Sequence, residues 1–168
     1  VRQANTKKDA TRKAHEFYRN LMTDIFREAR RVLRDDGVLT VMFTHKRQDA
    51  WAALFQSLID AGFTITACWP VKTESEHSLH QARKNAAQST VLLSARKREE
   101  DAGIAYYGEI EAEVAQAARS AAERLQRQGL GPVDQMVGSY GPAMEVLTRY
   151  REVRTGVDRE RVGIERAL

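Results

Sequence analysis

Two groups of polar and aromatic residues are candidates for binding a ligand, and each lies at the end of an apolar segment of strand length. The first group is Thr44, His45 and Lys46, after residues 38–43. The second is Trp69, Lys72 and Glu74, at or after the end of residues 63–69. If both segments are parallel strands of an open α/β sheet, their carboxyl ends lie at one edge of it. Ligands of such sheets bind at that edge. The sequence therefore predicts a binding site there, although ordinary loop residues would give the same pattern.

The polar stretch at 71–89 places further cationic side chains beside these two groups. It shows no clear periodicity, and structureless segments longer than about 15 residues are usually functional or disordered in compact domains. Besides Lys72 it carries Arg83 and Lys84, side chains of the type that follows a phosphate backbone. We therefore add Arg83 and Lys84 to the candidate binding residues.

Other chemistries find little support in the sequence. His77 and His80, with two glutamates before them, have the residue types of metal ligands, but no metallohydrolase helix pattern surrounds them, and a polar surface loop is the better interpretation. Cys68 lies inside an apolar strand, which favours a buried core thiol over a nucleophile. Phosphate-binding loops, dinucleotide fingerprints and Ser/His/Asp arrangements do not occur. We predict neither catalytic residues nor a metal site in this chain.

Apolar periodicity predicts the elements that position the candidate residues. The predicted elements are a one-sided helix over about 13–34 ended by Gly37, a strand at 38–43, a helix capped by Asp49 and closed by Gly62, a strand at 63–69 stopped by Pro70, and a third strand at 90–95. This order is typical of an α/β layered sheet with flanking helices.

From Glu99 the composition becomes acidic, alanine-rich and helical. We therefore divide the chain into a sheet-forming part, 1–98, and an α-helical extension, 99–168. The segment 129–132 breaks the first helix of the extension. Gly141 and Pro142 are predicted to open another short helix, because proline is favourable at the first helical position.

Composition excludes several protein classes. No apolar run approaches the roughly 20 residues that span a bilayer, and the first residues lack the apolar stretch of a signal peptide. A single cysteine among 168 residues fits a reducing, cytoplasmic setting. Residues 1–34 hold ten Lys and Arg against four Asp and Glu, whereas residues 99–168 hold nine against thirteen. A polyanion such as DNA would therefore meet the first part of the chain, although a solvated helix face explains the same bias.

The chain begins with Val and ends without an evident stop signal, so we expect a piece of a longer protein. Three strands also make a poor sheet by themselves. Either the rest of a larger sheet completes them, or an open edge pairs with another subunit.

Three segments carry a family resemblance: MFTHK at 42–46, WPVKTE at 69–74 and KNAAQSTVLL at 84–93. Together with the sequence around them, from about Ala14 to Val153, they resemble the back part of the adenine-specific DNA methylases whose full-length members carry a zinc ribbon. The resemblance implies the second half of a Rossmann-like methyltransferase sheet, whose last two strands form an antiparallel hairpin. It also implies S-adenosylmethionine as the methyl donor and DNA as the substrate.

The family's glycine-rich cofactor loop and its Asp/Asn-Pro-Pro-Tyr motif lie upstream of this region and are absent here. The resemblance therefore implies an inactive isolated chain that shapes the target-base side of the pocket. Thr44, His45 and Lys46 would form one wall, Trp69, Lys72 and Glu74 the other, with residues 71–89 toward the DNA. Trp69 would stack on a flipped base, whereas a tryptophan ending a strand is more commonly hydrophobic cover. A non-enzymatic module that binds nucleic acid or another subunit is the alternative.

Overall fold

A computed structural model of the chain describes residues 2–45, 47–72, 89–156, 160 and 162, without the side chains of residues 2–9, 11, 72 and 89. The described part is a mixed α/β structure. It consists of α1 (Arg2–Val32), β1 (Leu39–Phe43), α2 (Gln48–Asp60), β2 (Phe63–Lys72), β3 (Ser89–Lys97), β4 (Ile104–Tyr106), α3 (Tyr107–Arg127), α4 (Pro132–Thr148) and β5 (Glu152–Arg154).

The first three strands form one sheet in the order β1-β3-β2. β3 is antiparallel to both of its neighbours, so β1 and β2 run in the same direction. Helix α2 connects these two strands, and β3 fills the gap between them as in a split βαβ unit. The predicted strands at 38–43, 63–69 and 90–95 are therefore confirmed in position, and β2 with β3 forms an antiparallel hairpin.

β2 continues through Pro70, which we predicted to stop it. Pro70 faces Val91 in the ladder, and the strand ends at Lys72. Proline is tolerated here because β2 is an edge strand, where a missing N–H need not break a second ladder. A register shift between Ile65 and Ala67 further marks this edge as irregular.

Two helix boundaries also differ from the predicted ones. α1 begins at Arg2, well before residue 13, because the apolar stripe that predicted it covers only the later turns. α2 is preceded by Arg47 as its N-cap, and Asp49 lies within its first turn. There the Asp49 carboxylate accepts a hydrogen bond from the Ala50 N–H at 2.9 Å. The positive end of the helix dipole stabilises its negative charge.

The core lies on one face of the sheet, between the strands and the helices α2 and α4. Trp51, Leu54, Phe55 and Leu58 of α2 are almost completely buried. They belong to the same apolar cluster as every second residue of β3, namely Val91, Leu93 and Ala95. The intervening residues of β3 face the opposite side, so helices cover the sheet on one face among the described residues.

The region after Glu99 is not purely helical, because β4 and β5 form a short parallel pair at its two ends. α3 buries Ile110, Val114, Ala121 and Leu125. α4 begins at Pro132, at the end of the predicted break, and runs through Pro142, where we predicted a helix start. Residues of α3 and α4 share one apolar cluster with the sheet.

α4 passes Pro142 because tertiary contacts hold that turn against β2. A Cβ atom placed on Gly141 would lie 2.0 Å from Cys68 Cβ and 2.2 Å from Cys68 Sγ. At the end of α4, buried Thr148 accepts a hydrogen bond from the Ile65 N–H at 2.9 Å. Its carbonyl oxygen accepts another from Thr64 Oγ1 at 3.0 Å. These contacts fix α4 on β2 and offset the helical hydrogen bond that Pro142 cannot donate.

We predict that Gly141→Ala lowers the free energy of unfolding by about 1–3 kcal/mol, because the added methyl group overlaps Cys68 and forces α4 away from β2. Gly108→Ala is the matched control, since Gly108 is also helical and a Cβ there meets no atom within 4 Å. That variant should be neutral or slightly more stable. Urea denaturation of both variants gives the comparison; equal stabilities would show that α4 does not depend on this contact.

Candidate functional site at the carboxyl end of the sheet

The structure brings the carboxyl ends of β1 and β2 to one edge of the sheet, with the start of β3 between them. Thr44, directly after β1, shares a hydrogen bond of 2.8 Å between its Oγ1 and Oγ1 of Thr90 on β3. Val71 of β2 faces Thr90 from the other side. The predicted meeting of the two strand ends is thus observed, and Thr90 joins them.

The sheet face without helices carries an apolar row just before this edge. Met42 of β1, Leu92 of β3 and Trp69 of β2 occupy one row across the three strands. Met42 is 68% exposed and Trp69 is 54% exposed. Trp69 and Thr90 are diagonal neighbours, a separation of about 7–8 Å that aromatic side chains bridge. An exposed aromatic side chain and the exposed Thr44 therefore lie on this face, with buried Thr90 between the two strands.

His45 lies on the opposite face of the sheet. Its ring is nearly parallel to that of Phe43, with centroids 6.2 Å apart, and Phe43 packs edge-on against buried Trp51. The His45 carbonyl oxygen accepts a hydrogen bond from Trp51 Nε1 at 2.7 Å, and its Nδ1 accepts one from the Arg47 N–H at 3.0 Å. In neutral His45 the proton is therefore on Nε2. His45 holds the turn into α2 and does not share a face with Trp69.

An ion pair borders this turn. Arg47 Nε donates to Asp49 Oδ1 at 3.0 Å, and a second bond joins Arg47 to the other carboxylate oxygen. The hydrogen bond from Arg47 lowers the pKa of Asp49 below its ordinary value. His15 Nδ1 of α1 lies 3.9 Å from the same carboxylate. Arg47 is therefore engaged in the fold and is not a free cation for a ligand.

Among the eight predicted binding residues, the structure places Thr44 and Trp69 on one face and His45 on the other. Lys46, Glu74, Arg83 and Lys84 lie outside the described residues, as does the side chain of Lys72, whose backbone ends β2. His77 and His80 also lie outside them. The sequence did not single out Thr90, Met42 or Leu92, because pairing between strands separated by a long segment leaves no local signal.

Glycines near the sheet lie at the end opposite to the candidate site. Gly37 precedes β1, and Gly62, with φ of +84°, precedes β2. At the carboxyl ends, β1 is followed by Thr44 and His45, and β2 ends at Lys72. The sequence that follows the two strands, at 44–47 and at 73–88, contains no glycine.

The described residues contain no group of three or more His, Cys, Asp or Glu side chains placed to hold a metal ion. None of the helices in this part of the chain has the length and apolar character needed to cross a membrane. Cys68, the single cysteine of the chain, is buried in the core as predicted.

Comparison of the chain with models of protein families, with curated proteins and with solved structures finds no match.

We predict that Cys68 does not react with Ellman's reagent in the folded protein at pH 8. Burial, together with the negative charge of nearby Glu145, raises the pKa of the thiol to about 12, so it stays protonated well above neutral pH. In guanidinium chloride the same thiol should react quickly, at the rate of an ordinary cysteine. Rapid reaction without denaturant would show that α4 opens away from β2.

Proposed function

We propose that this chain is the C-terminal part of an S-adenosylmethionine-dependent DNA adenine methyltransferase and forms the end of its Rossmann-like sheet. Three features support this proposal: the parallel strands β1 and β2 joined by α2, the antiparallel hairpin of β2 and β3, and the motifs at 42–46, 69–74 and 84–93. The setting that fits the single reduced cysteine is the cytoplasm.

The observation that carries the proposed role is the exposure of Trp69 on the open face of the sheet. Enzymes that modify a base in DNA move it out of the duplex and stack it between aromatic or apolar side chains. Trp69, at the end of a row with Leu92 and Met42, offers such a surface, and the exposed Thr44, bonded to buried Thr90, lies on the same face. Lys46, Lys72, Glu74, Arg83 and Lys84 belong to the same proposed DNA-facing wall.

The family's glycine-rich cofactor loop and its Asp/Asn-Pro-Pro-Tyr motif are absent from this sequence, so this chain does not carry the main binding motif for S-adenosylmethionine. The methyl donor, and the groups that activate the adenine amine, belong to the part of the protein that carries those motifs. This chain contributes positioning, because Trp69 supplies the surface on which the base stacks.

The alternative, a non-enzymatic module that binds nucleic acid or another subunit, relies on the basic residues of α1 and of the segment 71–89. Two of those in α1 are already engaged along their own helix, since Arg27 pairs with Asp24 at 3.0 Å and Arg31 with Glu28 at 2.8 Å. These pairs offset part of the positive charge of α1, so the open face of the sheet is the better supported binding surface.

The stacking role can be tested by fluorescence, because the chain has two tryptophans and only Trp69 is exposed. An oligonucleotide with adenine as its one base among abasic positions should quench Trp69, and the fully abasic strand should not, because every base can stack on an aromatic side chain. Trp69→Ala should weaken binding about tenfold, as expected for the loss of one base stack. Trp69→Phe should retain part of the affinity.

Anisotropy of a labelled strand measures affinity for the variants that lack the tryptophan signal. The control is Met136→Ala, which removes another exposed apolar side chain from α4, remote from the open face. Equal affinities of Trp69→Ala and the unmodified chain would contradict the proposed stacking role.

We also expect the isolated chain to transfer no methyl group to plasmid DNA from labelled S-adenosylmethionine, because it lacks the acceptor and cofactor motifs. Methylation by the purified chain alone, retained through further purification steps, would refute its assignment as a non-catalytic C-terminal part.

A further inference from the structure

The pairing of β2 with β3 shows which residues of β2 direct their backbone groups to the outer edge of the sheet. Ile65, Cys68 and Pro70 face every second residue of β3 in the ladder. Alternate residues of a paired strand direct their N–H and C=O groups to the same side. The Ile65 N–H points away from β3, since it donates to Thr148 Oγ1 at 2.9 Å. Cys68 and Pro70 therefore also face the outer edge.

One face of α4 covers these outward positions. Besides the bond from Thr148 to the strand, two close approaches hold the helix there. A Cβ atom placed on Gly141 would lie 2.2 Å from Cys68 Sγ, and one placed on Gly138 would lie 3.6 Å from Pro70 Cγ. At 100° per residue, both glycines and Thr148 lie within about 80° around the helix axis. A single helix face thus closes the edge of β2 from the bonded amide to the proline.

The strand beneath α4 has the composition of a segment that pairs with copies of itself. Residues 63–69, Phe-Thr-Ile-Thr-Ala-Cys-Trp, contain no charge, no proline and no glycine. Segments of six or seven residues with high β-propensity and low charge form stacked strands when their edges are exposed. The first charged residue of β2 is Lys72, at its end. β2 therefore relies on α4 for the protection that charged side chains give to other edges.

The other edge of the sheet is formed by β1, which is also uncharged but much shorter. β1 has five residues, whereas β2 has ten. Very short edge strands are one of the means by which proteins limit pairing with other chains, because they offer few backbone groups. Of the two edges, the longer one is the one that a helix covers.

We propose that α4 is an intramolecular cap that keeps the outer edge of β2 from pairing with β2 of a second copy of the chain. Release of α4 converts residues 63–69 into a self-association surface. The occupant of that surface is a second copy, because two uncharged strands of this sequence align without like-charge repulsion. This role of the extension after Glu99 does not depend on DNA binding.

Thr148→Val tests the cap in the full chain, because it removes the hydroxyl group that accepts the Ile65 N–H while keeping the volume of the side chain. Hydrogen exchange followed by NMR should show the Ile65 amide accelerated at least about tenfold, as expected when a buried donor loses its partner. Light scattering and thioflavin T fluorescence should then show association that the unmodified chain lacks under the same conditions. Thr148→Ser, which keeps the hydroxyl group, should behave like the unmodified chain.

Ser57→Ala is the matched control for a general loss of stability. Ser57 is as completely buried as Thr148, and its Oγ donates to the carbonyl oxygens of Ala53 at 2.7 Å and Arg19 at 3.2 Å, away from β2. At urea concentrations that give both variants the same folded fraction, Thr148→Val should associate and Ser57→Ala should not. Equal association of the two would overturn the proposal, because unfolding in general would then be the cause.

A second pair of variants locates the associating edge. Thr66 and Thr40 are both exposed and both border Ser94 of β3, but Thr66 belongs to β2 and Thr40 to β1. Added to Thr148→Val, Thr66→Lys should suppress association, because a charge within an edge strand opposes pairing, whereas Thr40→Lys should not. Suppression by Thr40→Lys alone would place the pairing at β1 and overturn the proposal.

If Thr148→Val does not fold, the unmodified chain provides the test. Low urea concentrations that open α4 should produce aggregates whose protease-resistant part, identified by mass spectrometry, contains residues 63–69. A resistant part without these residues would contradict the role of α4 as a cap on β2.

Discussion

The close contact between Gly141 of α4 and Cys68 of β2 determines how the helical layer sits on the sheet. Any larger residue at position 141 would overlap the cysteine. With α4 held at this distance, Thr148 reaches the backbone of Ile65 and closes the β2 edge, and Tyr140 reaches Trp51. The position of α2, and through it of α1, follows from this row of contacts. The contact at Gly141 therefore accompanies the bonds by which α4 covers the β2 edge.

The parts of the fold that the sequence predicts are those with a strong apolar period. The strands at 38–43, 63–69 and 90–95 and the later turns of α1 all show one. Local rules treat proline as a boundary, so they predict the end of a strand at Pro70 and the start of a helix at Pro142. In the structure β2 and α4 continue through these prolines. An edge position makes the first proline harmless, and the contact of Gly141 with Cys68 stabilises the helix around the second. Both reasons are tertiary, so neither is visible in a local window.

The candidate site was predictable in location but not in composition. The carboxyl ends of two parallel strands of one sheet lie at the same edge of that sheet. Thr44 and Trp69 do lie at this edge. His45 was grouped with them because it is next to Thr44, yet consecutive residues at a strand end point to opposite faces. Thr90 was missed for the converse reason, since its contact with Thr44 joins residues 46 positions apart.

The division of the sheet into two faces separates stability from binding. Every large, completely buried side chain of the sheet and of α2 lies on the helix-covered face, whereas Trp69 and Met42 project from the other. Removing an exposed side chain forfeits little packing, because few neighbouring atoms lose a partner. Changes at Trp69 therefore alter the open face while the core stays intact, and a loss of DNA affinity there reports on the contact itself. His45 differs in this respect, because its bonds to Arg47 and Trp51 make it part of the core side, where a substitution disturbs the entry into α2 before it disturbs any ligand.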